Sequence, residues 1–279
     1  MQLGIHLPQF RDQVVAGPVL ADAARAVEQA GADDLWVSDH VVLPRGSQSP
    51  PEAFHDALTV LTWAAAATEG VGLGTSVLVA PYRNPVAMAR SLASVDALSG
   101  GRVIAGMASG WMQWEFDALG VPFTERGART DEAIALCRAL WAGAGDFDGR
   151  FTTLRGASIT PPPARAGGPP IWVGGNSSAG IRRAAALGDA WHTTRSDPDR
   201  LAPAIHALRD AERAAGRDEG EVLVSVRVRA DVDEVAHLAP RLAAIGVSHL
   251  LVDLPSFDPD QYGMQVAALR DITAVASER

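Results

Sequence analysis

The chain has 279 residues, a formal charge of −9 and 47% hydrophobic residues, long enough for one large domain with a closed core. An acidic balance without a Lys/Arg run or a stripe of basic and aromatic residues argues against nucleic acid as a partner. One cysteine, no apolar run near the ~20 residues of a membrane helix, and an N-terminus without secretory-signal regions predict a cytoplasmic chain with no membrane partner.

Short β-branched runs alternate with longer Ala/Leu/Arg stretches of helical period through eight rounds. In chain order the predicted strands are 3–7, 34–39, 71–79, 102–108, 170–175, 190–194, 222–228 and 249–254, each followed by a helical stretch, the last near 260–276. Gly31, Gly188, Gly216 and Gly246 follow helical runs where left-handed C-caps are expected. Strands apolar on both faces and separated by helices belong in a parallel sheet, and eight rounds in this length predict an α/β fold, a closed (β/α)8 TIM barrel spanning 1–279 as one domain. The longest irregular stretches, 41–55, 111–125 and 143–169, read as insertions after strands 2 and 4 and before strand 5. Within the last, "FDGRFTTL" (147–154) reads as a hairpin.

In such barrels polar groups at the carboxyl ends of strands face the site. "DLWVSDH" ends in Asp39 and His40: an imidazole beside a carboxylate suits acid/base work, although the pair could also be structural. "GGNSS" opens into a helix, and its Gly174, Gly175, Asn176, Ser177 and Ser178 offer backbone N–H groups to an anion, or simply an N-cap. His6, Ser76, Ser109, Gly110, Trp111, His192, Thr194 and Arg195 also fall at strand ends, with Trp111 placed to stack on a ring or substrate. The histidines match no metal-ligand spacing, so no metal is expected, and no G-x-S-x-G elbow supplies a serine nucleophile. All basic residues are arginine, which excludes Schiff-base chemistry and a Walker lysine. In "GWMQWEFDALG", Glu115 is read, with Arg126, as an ionic clamp in an aromatic-pinned insertion rather than as a catalytic group.

Several stretches in order, "LWVSDHVVLP", "AAAATEGVGLGTSVLVAPYRNPVAMAR", "VDALSGGRVIAGMASGW", "EFDALGVPFTERGARTDEAIALCRALW", "FDGRFTTL" and "PPIWVGGNSSAGIRRAAALGDAW", resemble the luciferase-like monooxygenase superfamily, and most of all its probable F420-dependent oxidoreductases. The resemblance covers roughly residues 1–195. It implies a flavin-type ring at the barrel mouth, backed by a bulge with a non-prolyl cis peptide between Ser76 and Val77. It places Asp39 by that ring, Ala108, Ser109 and Gly110 along the cofactor, and Gly174 to Ser178 around its phosphate. Sugar-phosphate dehydrogenases of this superfamily carry a glutamate at the position of Trp111 and a phosphate-binding lysine near strand six. This chain has neither, Arg195 being the substitute cation, which points to a less polar or aromatic small-molecule substrate.

The expectation is therefore an oxidoreductase moving a hydride between coenzyme F420 and a small organic substrate. His40 is the acid/base, Asp39 its orienter or a ring contact, and His6, Trp111, Thr194 and Arg195 bind substrate. The alternatives are an FMN-dependent monooxygenase fed by a separate flavin reductase, and a non-catalytic flavin- or ligand-binding protein. A homodimer is expected from the resemblance, and the 41–55 stretch is expected to act as a lid.

Overall fold

The computed structural model describes residues 1–276. Its strands are β1 (Gln2–His6), β2 (Asp34–Val37), β3 (Gly72–Thr75), β4 (Leu78–Val79), β5 (Val103–Ala108), β6 (Phe147–Asp148), β7 (Thr153–Leu154), β8 (Ile171–Gly174), β9 (Ala190–Thr193), β10 (Leu223–Arg229) and β11 (His249–Asp253). The parallel order β3-β2-β1-β11-β10-β9-β8-β5 closes on itself through β3–β5 pairing, giving the eight-stranded (β/α)8 barrel. β6 and β7 pair antiparallel outside it, as the hairpin predicted at 147–154.

The run 71–79 is not one strand. It breaks into β3 and β4 around a cis peptide between Ser76 and Val77, the position the resemblance implies. Helices α1 (Gly17–Gln29), α2 (Ala57–Ala67), α3 (Pro85–Leu98), α4 (Gln113–Ala118), α5 (Arg126–Trp141), α6 (Ser178–Leu187), α7 (Pro198–Ala214), α8 (Val232–Ala244) and α9 (Pro259–Ala276) cover the barrel. α4 falls inside 111–125, expected to be irregular. Its Phe116 packs with Val79 and Tyr82, and that burial supplies what its short length lacks. Gly31, Gly216 and Gly246 adopt positive φ after their helices, but Gly188 does not: it is extended, and a Cβ there would crowd the carbonyls of Ala184 and Ala190.

The two faces of the strands differ in composition, contrary to the expectation that both are apolar. Outward residues such as Leu35, Val37, Val173, Val226 and Val252 join the helices in the main core. Inward residues are large aromatics, glycines and polar groups: Trp36, Trp172 and Leu251 form a separate inner cluster. Trp36 fits because β3 presents Gly74 opposite it, where any Cβ would overlap the indole. Gly4 on β1 likewise leaves room for Asp34, Trp36 and His249. These strands are read correctly as buried, but the barrel interior is assembled from residue types that apolar periodicity does not register.

Candidate active site

A cavity of about 510 Å³ opens at the carboxyl ends of the strands, a size and position suited to a small-molecule or cofactor site. Asp39 and His40 follow β2 and both line it.

His40 Nδ1 lies 2.6 Å from Glu115 Oε2. Glu115, on α4, is 0% exposed and also accepts hydrogen bonds from the backbone N–H of Val41 at 2.9 Å and Val42 at 3.3 Å, and from Tyr82 Oη at 3.0 Å. Burial pushes its pKa upward, but the His40 bond and these donors outweigh it and hold the carboxyl below its ordinary range. The Tyr82 hydroxyl is pushed far upward by burial and by the charge of Glu115, and remains a donor. An ionised Glu115 can only accept, so His40 carries a proton on Nδ1 and Nε2 is the ring nitrogen left unengaged by Glu115. Phe10, Phe54 and Trp111 surround the imidazole edge-on, with centroids 5.9, 6.4 and 6.4 Å away.

Asp39 is not the orienter of His40. Its carboxylate is held by both terminal nitrogens of Arg83, with Nη2 at 2.7 Å from Oδ1, and by the Val79 N–H at 2.9 Å. Burial pushes the Asp39 pKa up against the pull of Arg83. Arg83 also reaches Asp56, the N-cap of α2, at 3.0 Å. Asp39 thus ties the end of β2 to the turn after β4 and to α2, while its backbone stays on the cavity wall.

Ser76, Val77, Ala108, Ser109, Gly110, Gly174, Gly175, Asn176 and Ser177, the residues expected to meet a cofactor, all line the cavity. Small residues are required there. A Cβ on Gly174 would stand 3.0 Å from Val77, and Gly110, at φ +77°, would drive one to 2.6 Å from Val79. Ser177 caps α6 by accepting from the Gly180 N–H at 3.1 Å. Ser178 is the exception: it opens α6, is exposed, and does not line the cavity.

The substrate-side expectations divide. Trp111, 65% exposed, and Thr194 line the cavity, with Thr194 Oγ1 accepting from Asn176 Nδ2 at 2.8 Å. Arg195 does not line it; its guanidinium turns to the carbonyls of Arg200 and Asn176. His6 is buried inside the barrel beside Ser38, 2.7 Å from its hydroxyl, with no cavity face. Burial, aided by Arg227, lowers its pKa to about 3, so it is a neutral core imidazole.

Ser38, Tyr82, Arg126, His192 and Arg227 also line the cavity; the sequence offers His192 only as a strand-end residue, and Arg126 is not clamped to Glu115 as expected but donates to the Phe123 carbonyl at 2.9 Å. Arg126 rests on Phe123 at 3.9 Å from the ring centroid and is a cation on the cavity wall in a chain without lysine. A lone acid in the apolar "WEF" was the available signal for Glu115, and the missing lysine was the signal for Arg126.

The model of the family described as luciferase-like monooxygenase matches residues 1–272. Among curated proteins, a 5,10-methylenetetrahydromethanopterin reductase of Methanolobus tindarius is 30% identical over 93% of this chain and 76% of its own. An F420-dependent glucose-6-phosphate dehydrogenase of Kineococcus radiotolerans is 33% identical over 77% of this chain and 64% of its own. Among solved structures, a monooxygenase of Streptomyces bottropensis superposes with TM-score 0.83 at 19% identity, covering 99% of each chain. An F420-dependent secondary alcohol dehydrogenase bound to an F420-acetone adduct superposes with TM-score 0.81 at 18% identity, covering 98% of each. At these identities the two structures bear on the fold. The family match over nearly the whole length decides the question of kinship: this chain belongs to the luciferase-like monooxygenase family.

Proposed function

We propose that this oxidoreductase uses coenzyme F420 to move a hydride to or from a small alcohol or carbonyl substrate, with His40 as acid/base. The observation that carries this reading is that His40, on the cavity wall, is held at Nδ1 by the buried Glu115, a geometry that suits Nε2 to proton transfer. Small and glycyl residues, Ala108, Ser109, Gly110, Gly174 and Gly175, make up much of the wall and suit it to a flat ring. Ser109 and Gly110, Gly174 to Ser177, and the Arg126 guanidinium would hold it, the last beside its phosphate. When bound, the deazaflavin supplies the hydride donor or acceptor.

The chain's residues handle the proton and the packing. In the alcohol-oxidising direction His40 Nε2 takes the hydroxyl proton, and in the reverse direction it returns one to the carbonyl oxygen. Glu115 steadies the imidazolium, which is formed in the alcohol-oxidising direction and consumed in the reverse, in the way a buried carboxylate steadies a catalytic histidine. Phe10, Phe54 and Trp111 provide an apolar rim that favours a nonpolar or aromatic substrate and limits water.

The test is turnover of F420 with secondary alcohols, and of reduced F420 with ketones and enones, in wild type and His40→Ala. Consumption that requires a substrate and His40 supports the reading. Product formed only with oxygen and reduced FMN would replace it with the monooxygenase reading, which the likeness to the Streptomyces bottropensis structure keeps in view.

A further inference from the structure

Side-chain hydrogen bonds run without a break through the barrel from the cavity to the closed end of β2. Arg227 Nη1 is 3.3 Å from Ser76 Oγ, and Ser76 Oγ is 2.8 Å from His192 Nε2. His192 Nδ1 is 2.8 Å from Ser225 Oγ, which is 2.8 Å from His249 Nδ1, and His249 Nε2 is 2.9 Å from Asp34 Oδ1. Ser76, His192, Ser225, His249 and Asp34 are all buried. A barrel interior of this kind is ordinarily filled with branched apolar residues. Of these groups Ser76, His192 and Arg227 reach the cavity wall, while Ser225, His249 and Asp34 lie behind it.

The direction of every bond follows from the far end. Trp36 Nε1 can only donate, so Asp34 Oδ1 is an acceptor, and His249 Nε2 meets the same oxygen as a donor. With its one proton on Nε2, His249 accepts at Nδ1 from the Ser225 hydroxyl. Ser225, having donated its one proton, accepts from His192 Nδ1–H. His192 accepts at Nε2 from the Ser76 hydroxyl, and Ser76 accepts from Arg227. His192 is buried against Trp36, with ring centroids 5.5 Å apart and planes 5° from parallel, in surroundings that disfavour a charged imidazole.

We propose that Asp34 fixes the hydrogen-bonding sense of the Ser76 hydroxyl through the His249, Ser225 and His192 tautomers, so that Ser76 meets a ligand in the cavity as an acceptor. Its proton is committed to His192 and a lone pair remains for an N–H or O–H group of the ligand. Ser225 and His249 are positioning residues in this scheme, acting through His192 and Ser76 from behind the cavity wall. The chain of tautomers stands on the side-chain geometry alone; its effect on binding rests on the cavity being the cofactor site.

The test is ¹⁵N NMR of the histidine side chains in the ligand-free protein. Wild type is expected to show His192 protonated at Nδ1 and His249 at Nε2, both neutral. The opposite tautomer, or an imidazolium, at either residue overturns the proposal, and this result needs no variant. Ser225→Ala removes the acceptor for His192 Nδ1–H, so His192 is expected to switch to the Nε2–H tautomer and donate to Ser76. Ser225→Thr keeps the hydroxyl and should keep the wild-type tautomer. Titration with F420 and with FMN should then show binding of the preferred cofactor weakened by about tenfold in Ser225→Ala, the scale of one lost hydrogen bond, and restored in Ser225→Thr. A switched tautomer with unchanged affinity would confine the chain to the core and overturn its role at the ligand. If wild type binds neither cofactor, the functional reading fails, while the wild-type tautomers still judge the chain.

Discussion

Glu115 accepts a hydrogen bond of 2.6 Å from His40 across 75 residues of sequence, and the same carboxylate gathers the Val41 and Val42 backbone N–H groups. The acid therefore fixes the imidazole and the start of the loop after β2 together. Replacing it by glutamine keeps the shape and removes the charge that stabilises a protonated His40. Glu115→Gln is expected to lower turnover by about 10²-fold with little change in cofactor affinity. Unchanged kcat in a folded variant would detach Glu115 from the chemistry.

His40→Ala should retain cofactor affinity and lower turnover by about 10²-fold or more. Combined with Glu115→Gln, the losses should fall well short of additive, since both remove one acid/base unit. Fully multiplicative losses would show that the two residues act separately.

Asp39 has a different task. Its two bonds to Arg83 are buried, and removing the acid strands a guanidinium that retains only Asp56 as a carboxylate partner. Asp39→Ala should destabilise by about 3–5 kcal/mol, the cost of breaking a buried pair from one side. Chemical denaturation checks this, and a loss below about 1 kcal/mol, the exposed-pair scale, would show that the pair is in effect solvated.

Acid sensitivity follows from two depressed carboxyls. Burial raises the pKa of Glu115 and of Glu212, but His40 and backbone N–H groups overcome it for the first, and Arg209 with the Val222 and Gly220 N–H groups for the second. A depressed folded-state pKa gives stability that is present above the unfolded value, about 4.3 for Glu, and lost as pH falls through the folded value. Tm should begin to fall below about pH 6.5, because the buried neutral His6 and His192 take up protons only on unfolding, and should fall further below the ordinary glutamate range as the depressed carboxyls are protonated. Glu212→Gln should be less stable at neutral pH and show a shallower fall. An identical acid profile in that variant would contradict the assignment.

Gly74→Ala tests the barrel interior. The new Cβ would overlap the Trp36 indole, which is itself fully buried. A loss of at least about 1–3 kcal/mol is expected from overpacking, read as a lower denaturation midpoint at unchanged m.

What the sequence revealed and concealed divides along a physical line. Eight rounds of strand and helix, the hairpin at 147–154 and the cavity-lining ends at Asp39, His40, Ser109 and Gly174 follow from local patterns, because period, turn chemistry and strand termini are local properties. The partners of those groups depend on barrel closure. His249 meets Asp34 across 215 residues, and Glu115 reaches His40 from a helix inside an insertion. Asp39 stands next to His40 in the chain yet its carboxylate turns to Arg83, so adjacency in sequence misassigned the orienter. His6 and Arg195 sit near strand ends without facing the cavity, because His6 is buried in the barrel interior against Ser38 and a loop side chain follows its own hydrogen bonds.

The central claim is that the small-residue wall of Ser109, Gly110 and Gly174 to Ser177, with Arg126, holds a deazaflavin beside His40. The most direct measurement is a fluorescence titration of the apoprotein with F420 and, in parallel, with oxidised and reduced FMN. Tight, saturable binding of F420 with weak FMN binding is the predicted result. Preferential FMN binding would contradict hydride transfer by deazaflavin in favour of the monooxygenase reading, and binding of neither would contradict the cofactor assignment of this wall.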